Sequence, residues 1–100
     1  MIAMADYRAY IRVPGIDIEG DAANELGDAL NRHHGKLGPV LGGTREGIEV
    51  IVSLDRPTKS EAVTTMVAVV ADSMIRVGLG DHYPTSIELE PVDERELEPA

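Results

Sequence analysis

A chain of 100 residues, 43% of them hydrophobic, has room for one domain with a core of its own. It holds no cysteine, which excludes disulfides, thiol nucleophiles, zinc ribbons and iron–sulfur clusters. A formal net charge of −9, with no Phe, no Trp and three Tyr, argues against nucleic-acid binding: the field repels a phosphate backbone, and no platform for stacking bases is evident.

The opening stretch MIAMADYRAYIRV lacks the long apolar run after a basic start that marks a secretory signal. No segment approaches the ~20 apolar residues that span a membrane. A cytoplasmic protein without membrane contact is therefore expected. Scarce lysine (Lys36, Lys59) beside abundant Ala, Val, Gly and Asp suits a GC-rich bacterial or phage genome. From Tyr7 to Val13 the chain alternates, with Tyr7, Ala9, Ile11 and Val13 on one face and Arg8, Tyr10 and Arg12 on the other, which predicts a half-buried strand. Pro14-Gly15 ends it. Asp21 to His34 reads as a helix with Ala22, Ala23, Leu26, Ala29, Leu30 and His33 on its apolar stripe, stopped by Gly35 in the left-handed cap conformation.

Leu37–Gly43 and Ile48–Leu54 flank the polar turn TREG and predict a hairpin centred on Arg45-Glu46. Thr58 opens a second helix with TKSE, a capping box in which the Thr58 hydroxyl accepts from the Glu61 N–H and Glu61 reaches back. Val63, Met66, Val67, Val70, Met74 and Val77 form its expected buried stripe, and Gly78 and Gly80 end it. Thr85 to Val92 is a last strand, with Ile87 and Leu89 inward and Ser86, Glu88 and Glu90 outward. Residues 1–92 are expected to form a single domain, and DERELEPA, 93–100, an acidic and frayed C-terminal tail.

The order β-α-β-β-α-β resembles the ferredoxin-like, split-βαβ pattern. That implies an α+β fold: a four-stranded antiparallel sheet, order 4-1-3-2, with two helices on one face. The resemblance is to a superfold that hosts many functions, so function has to be argued from sites.

The stretch NRHHGKLGPVLGG, 31–43, raises the question of a metal or catalytic site. In the expected topology His33 and His34 lie at the opposite end of the sheet from His82. A six-residue strand is roughly 20 Å long, so the three histidines cannot share a metal. The histidines then act as helix-stop residues, favoured by the negative end of the dipole. Asp17, Glu19 and Asp21, with His82 on the same rim, are weak metal candidates resembling a partial calcium loop with Asp28 at its twelfth position. Ala22 stands where that loop needs glycine, and acids gather at helix starts in any case. No G-x-S-x-G elbow, ordered Ser/His/Asp set or phosphate-cradling loop is present, so no catalytic residue, cofactor or metal is assigned and an enzyme is not expected.

What remains is the sheet face away from the helices. If the hairpin turns at Arg45-Glu46, Val40 lies opposite Ile51, with Tyr10 beside them on the neighbouring strand. Arg8, Arg12, Glu49 and Glu88 flank this row. The expectation is a non-enzymatic interaction module that forms a homodimer or binds a protein partner through that face. Two alternatives are a small-molecule site or small enzyme at Asp81, His82 and Tyr83, and an acidic mimic of nucleic acid presenting Glu88, Glu90, Asp93, Glu94, Glu96 and Glu98.

Overall fold

The structure, a computed structural model, describes residues 5–92. The elements in chain order are β1 (Ala5–Pro14), α1 (Asp21–His34), a short 3₁₀ turn (Gly35–Leu37), β2 (Val40–Gly43), β3 (Gly47–Arg56), α2 (Lys59–Arg76) and β4 (Ser86–Val92). The class is α+β: a four-stranded antiparallel open sheet and two helices. The strand order is β2-β3-β1-β4, or β4-β1-β3-β2 from the other edge. The tail 93–100 lies outside the described residues.

Alternation decides which face of the sheet is covered. Ala9, Ile11 and Val13 of β1 stand opposite Val52, Val50 and Ile48 of β3, and all six are buried. Ala23, Leu26 and Leu30 of α1 and Ala62, Met66, Val70 and Met74 of α2 join the same cluster, so both helices lie on one side. With no Phe or Trp available, this core is aliphatic, and each fully buried Val, Leu, Ile or Met side chain is worth about 1.5–3 kcal/mol.

The first helix has the expected bounds, but its ends differ in detail. Ala22 is half-buried, and His33, expected on the apolar stripe, is exposed; His34 is the half-buried one. Gly35 stays in the right-handed region (φ −58°), because the chain tightens into the 3₁₀ turn, and the left-handed residue is Gly38 (φ 58°). The Thr58 hydroxyl does accept from the Glu61 N–H at 3.2 Å, but the return bond from the Glu61 carboxylate is absent among the described residues. The buried stripe of α2 is rotated from expectation: Ala62, Val69 and Ser73 are buried with Met66, Val70 and Met74, whereas Val63, Val67 and Val77 are half-buried. The end of α2 is a Schellman cap. Leu79 N–H reaches Met74 O, Gly78 N–H reaches Ile75 O, Gly78 takes φ 81°, and Leu79 is buried. Ile87 is on the core side but remains 37% exposed, since β4 is an edge strand that the helices only partly overhang.

Two positions test this packing. At Gly47 an added Cβ would strike the Val13 carbonyl oxygen and lie 2.8 Å from Pro14 Cα, both backbone atoms that cannot step aside. Gly47→Ala is expected to cost about 1–3 kcal/mol or more in urea denaturation, and Gly42→Ala, which meets nothing within 4 Å, to change little. The Ser73 hydroxyl is fully buried and has no hydrogen-bond partner among the described residues. Ser73→Ala should raise stability in the same assay, by about 1 kcal/mol.

Candidate functional site

The pairing register lays out the uncovered sheet face residue by residue. Its central row crosses all four strands: Val40 on β2, Ile51 on β3, Tyr10 on β1 and Glu88 on β4. One flanking row holds Ser53, Arg8 and Glu90, and the other holds Gly42, Glu49, Arg12 and Ser86. Val40 is 56% exposed, whereas Ile51 and Tyr10 are half-buried by their neighbours in the sheet. The apolar part of the face is thus a strip one row deep, from the β2 edge to the centre.

Polar contacts fix the borders of the strip. The Arg12 guanidinium donates through Nε to Glu49 Oε2 at 3.1 Å, a cross-strand pair on adjacent central strands. That bond and the charge of Glu49, with lesser help from Glu88 and Glu46, hold Arg12 above the ordinary arginine value against the opposing effect of burial. The Tyr10 hydroxyl donates to Glu90 Oε2 at 3.1 Å, one row over on β4, so the ring lies toward the Arg8 side. Glu90 as the partner of Tyr10 was not foreseen from the sequence: the two are far apart along the chain, and only the β1–β4 register brings them together. Arg8 has no carboxylate within 4.0 Å among the described residues and is exposed. The seven residues expected on this face, Arg8, Tyr10, Arg12, Val40, Glu49, Ile51 and Glu88, do share it.

At the hairpin end, TREG turns as expected. Thr44 N–H bonds Gly47 O at 2.9 Å, and the Thr44 hydroxyl accepts from Gly47 N–H at 3.0 Å. Asp17 is occupied locally: its carboxylate accepts from Glu19 N–H and its carbonyl from Gly20 N–H. The His82 ring packs beside Gly15, close enough that an added Cβ there would lie 3.3 Å from it. Asp17, Glu19, Asp21 and His82 do not gather: no group of three or more His, Asp or Glu side chains able to hold a metal occurs among the described residues. Tyr83 is 71% exposed, and Asp81 is exposed beside it.

The histidine pair at the other end separates into two environments. His33 points to solvent. His34 Nε2 lies 3.1 Å from Asp72 Oδ2 on α2, and the same oxygen accepts from Arg76 Nε at 2.9 Å, one helical turn further on. The spacing of Asp72 and Arg76 is a readable i,i+4 pair, but their tie to His34 depends on how the helices cross. Arg76 first, and His34 second, hold the Asp72 carboxyl below its ordinary value. No helix of the described residues is long and apolar enough to cross a membrane. The sequence matches no protein-family model and no curated protein.

The depressed carboxyl makes a signed pH prediction. Its stabilising effect is complete above the unfolded carboxylate value of 3.8 and is lost as pH falls through the lower folded value. Asp72→Asn should therefore lower Tm at neutral pH, by a small amount because solvent reaches Asp72 and Arg76 and screens their charges. In melting curves taken down a pH series, the gap between variant and wild type should close on the acid side of the carboxylate range. A gap that is constant with pH would mean that the ion pairs contribute nothing.

Proposed function

We propose that this chain is a ferredoxin-like, non-enzymatic interaction module that self-associates as a homodimer through the open face of its sheet. The observation that supports it most is the Val40–Ile51–Tyr10 strip, placed by strand register on the one face that no helix covers. Single apolar residues on a surface are ordinary, whereas three in adjacent strands form a continuous strip.

Face-to-face packing of two copies requires a two-fold axis lying between the sheets. With that axis along the central row, Val40, Ile51 and Tyr10 each meet their own copy. The row of Arg8 then lies over the row of Arg12 and Glu49. Arg8, which has no partner in its own chain among the described residues, faces the Glu49 side of the other copy, one strand over. Glu88 ends the row at the β4 edge, where water screens it. Edge-to-edge pairing is a poorer route. The β2 edge strand is four residues long and follows Pro39, and the β4 edge carries Glu88, Glu90 and Pro91.

Burying large apolar side chains contributes about 1.5–3 kcal/mol each, and association costs about 4–15 kcal/mol in lost freedom. A strip one row deep therefore gives a weak, concentration-dependent dimer, micromolar in Kd. Ile51→Glu tests it. The side chain points away from the core formed by Val50 and Val52, so the variant should melt near the wild-type temperature. Sedimentation equilibrium should show a wild-type dimer that this variant abolishes. A wild type that stays monomeric into the millimolar range, or a dimer that survives Ile51→Glu, overturns the assignment.

A further inference from the structure

At the foot of α1, on the other side of the molecule from the sheet's open face, a surface hollow of about 610 Å³ is lined by Arg32, His33, His34, Lys36, Arg56 and Thr65, with Leu37 and Val69 as its apolar part. None of its lining residues is acidic. That composition runs against the rest of the chain, which has 18 acidic and 9 basic residues. Favourable contact with a helix C-terminus accounts for Arg32, His33 and His34 in the last turn of α1. It does not account for Arg56, which arrives from the end of β3, or for Lys36 in the 3₁₀ turn.

We propose that this hollow is a binding site for a diphosphate-type oxyanion, an assignment that stands independently of the sheet-face reading. Three fixed cations reach it from three separate elements. Arg32 and Lys36 have no carboxylate within 4.0 Å among the described residues. Arg56 spends one N–H of Nη1 on the Asp55 carbonyl at 2.6 Å, with the Asp55 carboxylate only at 4.0 Å, and keeps further donors for a ligand. His34 is held through Nε2 by Asp72, which orients its ring against the wall of the hollow. Thr65 adds a hydroxyl. A single carboxylate would satisfy one guanidinium, whereas a diphosphate carries enough oxygens and charge for several donors placed around one space. The apolar patch of Leu37 and Val69 leaves room for an attached organic group, so the diphosphate can be free or part of a nucleotide.

The test is an amide NMR titration of the labelled protein with pyrophosphate at constant ionic strength. Saturable shifts are expected at 31–37, 56 and 65. The double variant Lys36→Gln/Arg56→Gln, whose spectrum elsewhere should report an unchanged fold, is expected to bind about tenfold more weakly or worse, equivalent to about 1.4 kcal/mol. Arg45→Gln, at the hairpin turn, should bind as the wild type does. Adenosine diphosphate forms a second arm. Equal affinity assigns the anion alone, and tighter binding with added shifts at 37 and 69 assigns a nucleotide. Shifts that are diffuse and never saturate, or an affinity unchanged in the double variant, overturn the proposal.

Discussion

The pairing of β1 with β3 is the constraint on which the other features depend. The two strands run antiparallel over ten residues each, from Ala5 opposite Arg56 to Pro14 opposite Gly47. Ala9, Ile11 and Val13 of β1 and Ile48, Val50, Val52 and Leu54 of β3 are buried in alternation, and the intervening residues make the open face. A slip of one residue would turn one strand over, putting either Tyr10 and Arg12 of β1 or Glu49 and Ile51 of β3 into an aliphatic core and expelling Ile11 or Val50 from it. The register is therefore enforced by the burial of these alternating side chains on the two central strands. The close approach at Gly47 fixes one end, since only a residue without Cβ fits against the Val13 carbonyl. Once β1 and β3 are set, β2 follows by a two-residue turn and β4 by pairing with the free side of β1.

That dependence explains what the sequence discloses and what it withholds. Strand alternation in YRAYIRV and IEVIVSL is strong, and the turn TREG has one sensible centre, so the register across the hairpin, Val40 opposite Ile51, could be read directly. The bounds of α1 were readable for the same reason, since polar residues bracket a clear apolar stripe. In α2 the reading fails at the level of face. Val63 and Val67 lie on one flank of the helix and Ala62, Val69 and Ser73 on the other, while Val77 is the C-cap, past the last helical residue. Apolar residues on both flanks leave the direction of burial open until the sheet and α1 select it. His33 and His34 fail in a related way. Periodicity carried the α1 stripe to His33, but in the last turn the neighbouring surface is α2, and the side of α1 that meets it presents His34 to Asp72.

Charge is distributed with similar dependence on topology. A net charge far from zero favours solubility in general, and scattered arginines among carboxylates read as ordinary surface. The fold sorts them into distinct settings. On the open face Arg12 is neutralised by Glu49, and Tyr10 is tied to Glu90, so the borders of the apolar strip are already ordered before anything binds. Ordered borders reduce the side-chain entropy lost on association. Arg8, whose cross-strand neighbour Glu90 accepts from Tyr10 instead, makes no ion pair within 4.0 Å among the described residues.

The cationic hollow shows why composition is a poor guide to local chemistry. A net charge of −9 lowers the expectation of any anion site, because a distant anion meets the summed field of the whole chain. Over about 8 Å at physiological salt that field is screened, and the groups that line a hollow then dominate. Arg32 and Lys36 are neighbours on α1 and the turn that follows it, but Arg56 is brought to them only by the path of β3 across the sheet. The same strand that fixes the apolar strip on one side therefore completes the basic cluster on the other. Residues 51 and 56 of β3, five apart in an alternating strand, fall on opposite faces. An anion bound at Arg56 would act on the strand that carries Ile51, but through an element paired to β1 along its whole length and to β2 from Ile48 to Ile51. Such an element transmits charge weakly and displacement hardly at all, so the two surfaces are expected to work independently rather than as one switch.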